Sequence, residues 1–198
     1  MYTNGPVVEL DVIKKQTDEI LLKADFIPCF QVESGDYFVA KPYIRTPVSG
    51  SELHWRQWFS LKDKEMLENM DDDDNGCRHK LFRIVKTIVT WEPGPLGRLP
   101  SYHLKTALMH YISKHNQMWD GENALADHFL GFLGELQIAL ENRNLLHRWL
   151  HGVNLLGEID QELLEKMANR LERILNSRAE MNKVFLAKQT YWFPNSHC

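Results

Sequence analysis

Cysteine is scarce in this sequence. Cys29, Cys77 and Cys198 are scattered and odd in number among 198 residues, which excludes a disulfide framework and fits a reducing compartment. No run of eighteen apolar residues occurs, so no membrane span is expected, and the opening residues lack the basic stretch and apolar core of a signal peptide. There is no basic excess: the formal net charge is −4, which argues against a dedicated nucleic-acid binder while leaving room for local basic patches. GxSxG, HExxH and P-loop motifs are missing, as is any internal repeat. What remains is 43% hydrophobic and 25% charged, the make-up of a globular chain with material for a core.

The first sixty residues read as strands. Runs at 7–12, 20–32, 37–43 and 52–60 are apolar, β-branched or aromatic, with a Gly35-Asp36 turn and a loop at 46–50. From Leu61 the pattern turns helical. Leu81, Ile84, Val85, Ile88 and Val89 form an amphipathic stripe that Pro93-Gly94-Pro95 breaks. A second helix starts near Ser101, an N-cap candidate after Pro100. Further helices are expected at about 121–140 and 159–175, with an irregular tail from about 187. Strands followed by a run of helices give an α+β chain.

Several residues could carry chemistry. Asp25 sits among apolar neighbours in a strand; a carboxylate there is costly unless it is ion-paired, with Lys23 for example, or binds a cation. Lys80, Arg83 and Lys86 are spaced three apart on the helix that buries Leu81, either a solvated face or a row of phosphate partners. Ser101, Tyr102 and Lys105 open the next helix, where a hydroxyl, an aromatic plane and an ammonium could receive a nucleotide or could simply cap and pack. His103, in the same turn, reads better as a capping or core histidine than as a base. Cys77-Arg78-His79 has no partner at zinc-site spacing, and the 71–74 aspartate run lacks the alternation of a calcium loop.

The order of these features resembles the Mab-twenty-one family, which includes cyclic GMP-AMP synthase and its animal relatives. Ser101-Tyr102-His103-Leu104-Lys105-Thr106 is similar to that family's hallmark, about fifteen residues after Lys86. Gly5-Pro6-Val7-Val8 resembles its strand entry, Lys23-Ala24-Asp25-Phe26 the strand that delivers a third metal-binding acid, and Tyr37-Phe38-Val39-Ala40-Lys41 the strand after it. Trp55-Arg56-Gln57-Trp58-Phe59-Ser60 resembles a further strand, followed by a helix start with Asp63 and Glu65, and Trp119-Asp120 leads into the later helices.

The resemblance implies a partial nucleotidyltransferase-type sheet over 1–60, a helical lobe of HhH/H2TH-like type over 61–183, and a tail over 184–198. It implies that Asp25 is the last of three carboxylates holding Mg²⁺ or Mn²⁺. Arg56, Asp63 and Lys41 would line the acceptor pocket, GTP being the expected acceptor. Lys86 and Lys105 would bind the donor triphosphate of ATP with Ser101, and Tyr102 would stack on a purine. The expected activity is cyclic dinucleotide synthesis in innate immune sensing, cytoplasmic, with double-stranded RNA or another nucleic acid as activator. The alternative is a catalytically silent nucleotide-binding or protein-interaction scaffold of the same family. The family's glycine-serine loop and first two acids precede the Gly5 region, where this sequence has four residues. The chain alone is therefore expected to be inactive, and no zinc insertion is expected.

Overall fold

The computed structural model describes residues 8–39, 56–69, 76–115, 119–120 and 123–186; the side chains of Asp25, Trp91 and Leu186 lie outside that description. The chain divides into two compact units, Met1–Met66 and Leu67–Cys198. The architecture is α+β: small antiparallel sheets in the first unit and a helical bundle in the second.

In the first unit, β1 (Val8–Lys14) and β2 (Glu19–Phe26) form a hairpin. Its turn closes through the amides of Thr17 and Asp18, which donate to the Lys14 carbonyl, and Asp18 takes the left-handed conformation (φ 53°) that aspartate tolerates better than most residues. Alternation sorts the hairpin into two faces. Val8, Leu10 and Val12 share one with Leu22, Ala24 and Phe26, while Glu9 and Asp11 lie opposite Asp25 and Lys23 on the other. The large apolar members of the first face are exposed.

A second sheet, ordered β3-β4-β5, comprises Cys29–Gln31, Tyr37–Val39 and Arg56–Trp58. Phe30 stacks on Phe38 across it, and Tyr37 meets Trp58 edge to face. The single run expected at 20–32 is thus two strands in two sheets. Pro28 supplies no amide to a ladder and restricts Ile27 before it, so β2 stops at Phe26 and a new pairing begins at Cys29. Of the strands expected at 37–43 and 52–60, residues 40–43 and 52–55 lie outside the described residues. The helix α1 (Ser60–Glu68) follows β5.

The second unit is built from α2 (Cys77–Trp91), α3 (Ser101–Lys114), α4 (Ala124–Glu141), α5 (Gln161–Asn176) and α6 (Arg178–Leu186). The three-four stripe of α2 is inward: Leu81, Val85, Ile88 and Val89 are buried, and Lys80, Arg83 and Lys86 are exposed. They pack with Leu104 and Leu108 of α3, Phe132, Leu136 and Leu140 of α4, and Leu164, Met167 and Leu171 of α5 into one core. Burying an aliphatic side chain in such a cluster contributes roughly 1.5–3 kcal/mol. α5 has the clearest start, because the Asp160 carboxylate accepts from the Leu163 amide as an N-cap. Sequence reading left α6 unassigned, yet Val184 is buried in the core.

Between α2 and α3 the chain makes a 3-10 turn (Pro95–Arg98) whose Leu96 is fully buried. Pro100, not Ser101, holds the cap position of α3. Its carbonyl accepts from the His103 and Leu104 amides, no side chain caps the helix, and Ser101 is the first helical residue. Proline's fixed φ suits it to this boundary, and the observed φ is −59°.

A guanidinium from the middle of α5 joins a carboxylate just past α2 to one in the first turn of α6. Glu92, just past α2, accepts from Arg170 Nε of α5 at 2.8 Å and from the Gly94 amide at 2.7 Å, and Arg170 Nη1 donates to Glu180 of α6 at 2.6 Å. The Glu92 and Arg170 side chains are only 5% and 13% exposed, which places this pair well out of water. Removing one partner of such a pair strands the other charge. We expect Arg170→Ala to lower the unfolding free energy by about 3 kcal/mol, measured by urea denaturation monitored on the helical signal. A loss below about 1 kcal/mol, the value of a surface pair, contradicts this account of the node.

Candidate functional site

The first turn of α3 carries the densest group of residues expected from sequence. Ser101 is exposed; Tyr102 and Lys105 are half-buried. The Lys105 ammonium lies over the Tyr102 ring, 5.5 Å from its centroid, within cation–π range. The two side chains point together because positions three apart on a helix are neighbours.

This turn is fastened from behind by the segment between α4 and α5. His147 Nε2 donates to the Tyr102 hydroxyl at 3.0 Å, and its ring lies 5.5 Å from the tyrosine ring at 42°. His103 Nε2 donates to the Leu155 carbonyl at 2.9 Å, and His110 Nε2 to the Leu146 carbonyl at 2.8 Å. Asn154 braces the same segment. Its Oδ1 accepts from the Leu145 and Leu156 amides, and its Nδ2 donates to the Arg143 carbonyl at 2.7 Å. His103 is a tether, in keeping with its reading as a core histidine. Burial pushes its imidazole below the usual histidine range, against the opposing pull of the Leu155 carbonyl and Glu158.

The other expected residues are distributed as follows. Lys86 stands on the exposed row of α2, in the second unit with Ser101, Tyr102 and Lys105. In the first unit, Asp25 pairs with Glu9 in the hairpin register, Arg56 is exposed at the start of β5, and Asp63 of α1 is 2% exposed. Lys23 forms its ion pair across the strands with Asp11, at 3.5 Å. Lys41 and the 71–74 aspartate run lie outside the described residues. Sequence reasoning missed His147, which sits in no recognisable motif. Its partner is 45 positions away, a distance that no local spacing encodes.

No three His, Cys, Asp or Glu residues are grouped to hold a metal ion among the described residues. The divalent ions implied by the resemblance would find one expected ligand here, Asp25, which does not by itself make a site for them. A cavity of about 250 Å³ opens elsewhere on the helical unit, lined by Ala107, His110, Phe132, Glu135, Leu136 and Leu145 among others. It includes none of the residues expected from sequence.

The profile of the Mab-21 protein HhH/H2TH-like domain matches residues 77–173, the span from α2 into α5. Cyclic GMP-AMP synthase-like receptor 3 of Stylophora pistillata is 48% identical over 188 residues, covering 92% of this chain and 54% of that protein. The chain belongs to the Mab-21 family. Within it, Mitochondrial dynamics protein MID51 of Danio rerio is 30% identical over 86% of this chain and 36% of its own length. A cyclic GMP-AMP synthase-like receptor of Trichogramma pretiosum is 27% identical over 79% of this chain and 34% of its own. This Mab-21 chain therefore spans about a third to a half of the length of these relatives. No helix among its described residues is long and apolar enough to cross a membrane.

The His103 tether makes stability depend on pH with a definite sign. Its folded-state affinity for a proton is below the unfolded value of 6.5, so unfolded chains take up the proton first as pH falls. Its contribution is complete above about pH 6.5 and drains away below it. The melting temperature should fall between pH 7 and 5.5, and His103→Gln should flatten that slope. An unchanged slope in the variant assigns the effect to other groups.

Proposed function

We propose that the chain is the nucleotide-contacting, C-terminal portion of a metal-dependent nucleotidyltransferase that makes a cyclic dinucleotide from ATP and GTP in response to a nucleic acid. The observation that carries this reading is the α3 turn, where the Lys105 ammonium lies over the Tyr102 ring beside exposed Ser101. It occurs in a chain 48% identical to a cyclic GMP-AMP synthase-like receptor. An ammonium and a hydroxyl suit a triphosphate, and the aromatic plane suits a purine.

In this reading Lys86 and Lys105 neutralise the donor triphosphate and Tyr102 stacks on a base. Arg56, Lys41 and Asp63 serve the acceptor, and Asp25 supplies one of the carboxylates for Mg²⁺. This chain's own residues bind and orient the nucleotides, and turnover belongs to a protein in which further metal-binding acids stand beside them. Location in the cytoplasm and activation by double-stranded RNA are part of the same proposal.

A second reading is favoured by one observation: a relative named for mitochondrial dynamics is 30% identical over 86% of the chain. Under it, the protein is a nucleotide-binding or protein-interaction scaffold without turnover.

Calorimetric titration of the chain with ATP tests binding. Removing a charge-assisted contact costs about 1.5–3 kcal/mol, so Lys105→Ala and Lys86→Ala should each weaken binding by roughly ten-fold or more. Wild-type affinity in both variants removes the site. A full-length protein containing this chain, given Mg²⁺, ATP, GTP and double-stranded RNA, should release pyrophosphate and form a dinucleotide, and Asp25→Asn should abolish both. Binding without product in the wild type selects the scaffold.

A further inference from the structure

The hydrogen bonds at His147 are asymmetric. Its Nδ1 accepts from two backbone amides, Trp149 N and Leu150 N, each at 3.1 Å. An imidazole nitrogen that accepts from amides carries no proton of its own, so the proton of the neutral ring sits on Nε2. That nitrogen faces the Tyr102 hydroxyl at 3.0 Å and donates to it. The ring thereby does two jobs at once. One edge closes the backbone turn at 147–150 as an Asx side chain would, and the other edge holds a tyrosine 45 positions away.

The segment that carries His147 is itself fixed. Leu155 N donates to the Leu145 carbonyl at 2.8 Å, His147 N donates to the Val153 carbonyl at 2.7 Å, and Asn154 cross-links both ends of the loop. His110 and His103 then tie the loop to α3 through the Leu146 and Leu155 carbonyls, which flank His147 in chain order. A hydrogen bond from so braced a donor restricts the tyrosine torsions that set its ring plane. Lys105 approaches the same ring at 5.5 Å.

We infer that His147 is the positioning residue for Tyr102: held as the Nε2-protonated imidazole by the Trp149 and Leu150 amides, it fixes the plane on which a purine base stacks. This rests on the nucleotide reading above and adds to it a residue that acts through the tyrosine without touching the ligand. Pre-setting the ring removes the ordering cost that a free aromatic side chain meets on binding. The effect falls first on the base, because the base stacks on the ring itself while the triphosphate meets the ring only through Lys105.

His147→Asn separates the two jobs. Asparagine Oδ1 lies the same number of bonds from the backbone as histidine Nδ1, so it can still accept from the two amides. Its side chain is too short to reach Tyr102. The experiment titrates wild type, His147→Asn, Tyr102→Phe and the double variant with ATP, and separately with inorganic tripolyphosphate. We expect His147→Asn to retain the wild-type melting temperature and tripolyphosphate affinity, and to lose about three- to ten-fold in ATP affinity, part of the full worth of a base–aromatic stack. On the Tyr102→Phe background the same change should have no further effect.

If wild type binds ATP and His147→Asn binds it equally well, the positioning role is overturned while the nucleotide site stands. Equal loss toward ATP and tripolyphosphate with a lowered melting temperature overturns it in favour of a loop-folding role. If wild type binds neither probe, the nucleotide reading itself falls, and this inference with it. The ¹⁵N shifts of the His147 ring give a readout independent of binding: Nδ1 should be the unprotonated nitrogen, and the opposite tautomer overturns the assignment.

Discussion

The position of the α3 N-terminus depends on hydrogen bonds carried by imidazoles. Pro100 fills the cap position without a side-chain acceptor, so the helix has no local lock of the kind that Asp160 provides for α5. Its first turns are held instead by His103, His110 and the His147–Tyr102 contact, all engaging one segment between α4 and α5. Each of these bonds spans at least 36 positions of sequence. A turn fixed from behind keeps Ser101 exposed on its outer surface. At His147 one nitrogen meets Tyr102 while the other accepts from two amides, and at His103 the second nitrogen is buried.

The helical unit was largely legible in the sequence because its signals are local. The stripe from Leu81 to Val89 names the buried face of α2, and the Pro93-Gly94-Pro95 cluster names its end. The exposed row Lys80, Arg83 and Lys86 follows from the same periodicity. The errors arose where local signals compete. Ser101 carries the side chain of a cap, but the proline before it already occupies that geometry. The 20–32 run keeps its apolar character on both sides of Lys23 and Asp25, and Pro28 marks the break that sends its halves into different sheets. α6 was missed because its sequence, RAEMNKVFL, offers little periodicity beyond the buried Val184.

The site was legible in part. Tyr102 and Lys105 lie one helical turn apart, so their contact is a property of spacing. His147 could not be found that way, since what marks it is the pairing of its two nitrogens with unlike partners, visible only once the chain is folded. Asp25 shows the converse. It lies in a strand, and the register sets it opposite Glu9, yet neither fact decides what a strand carboxylate does.

The passage from α2 to α3 has a mechanical consequence. Gly97 sits so close to the Glu92 carbonyl that a Cβ there would come within 2.4 Å of it, and Pro93, Pro95 and Pro100 remove torsional freedom on both sides. Glu92 is in turn clasped by Arg170. The elbow is therefore a stiff bracket, not a hinge. A ligand that pulls on the lysine row of one helix drags its neighbour and α5 along as a single lever, instead of having the strain absorbed in the linker.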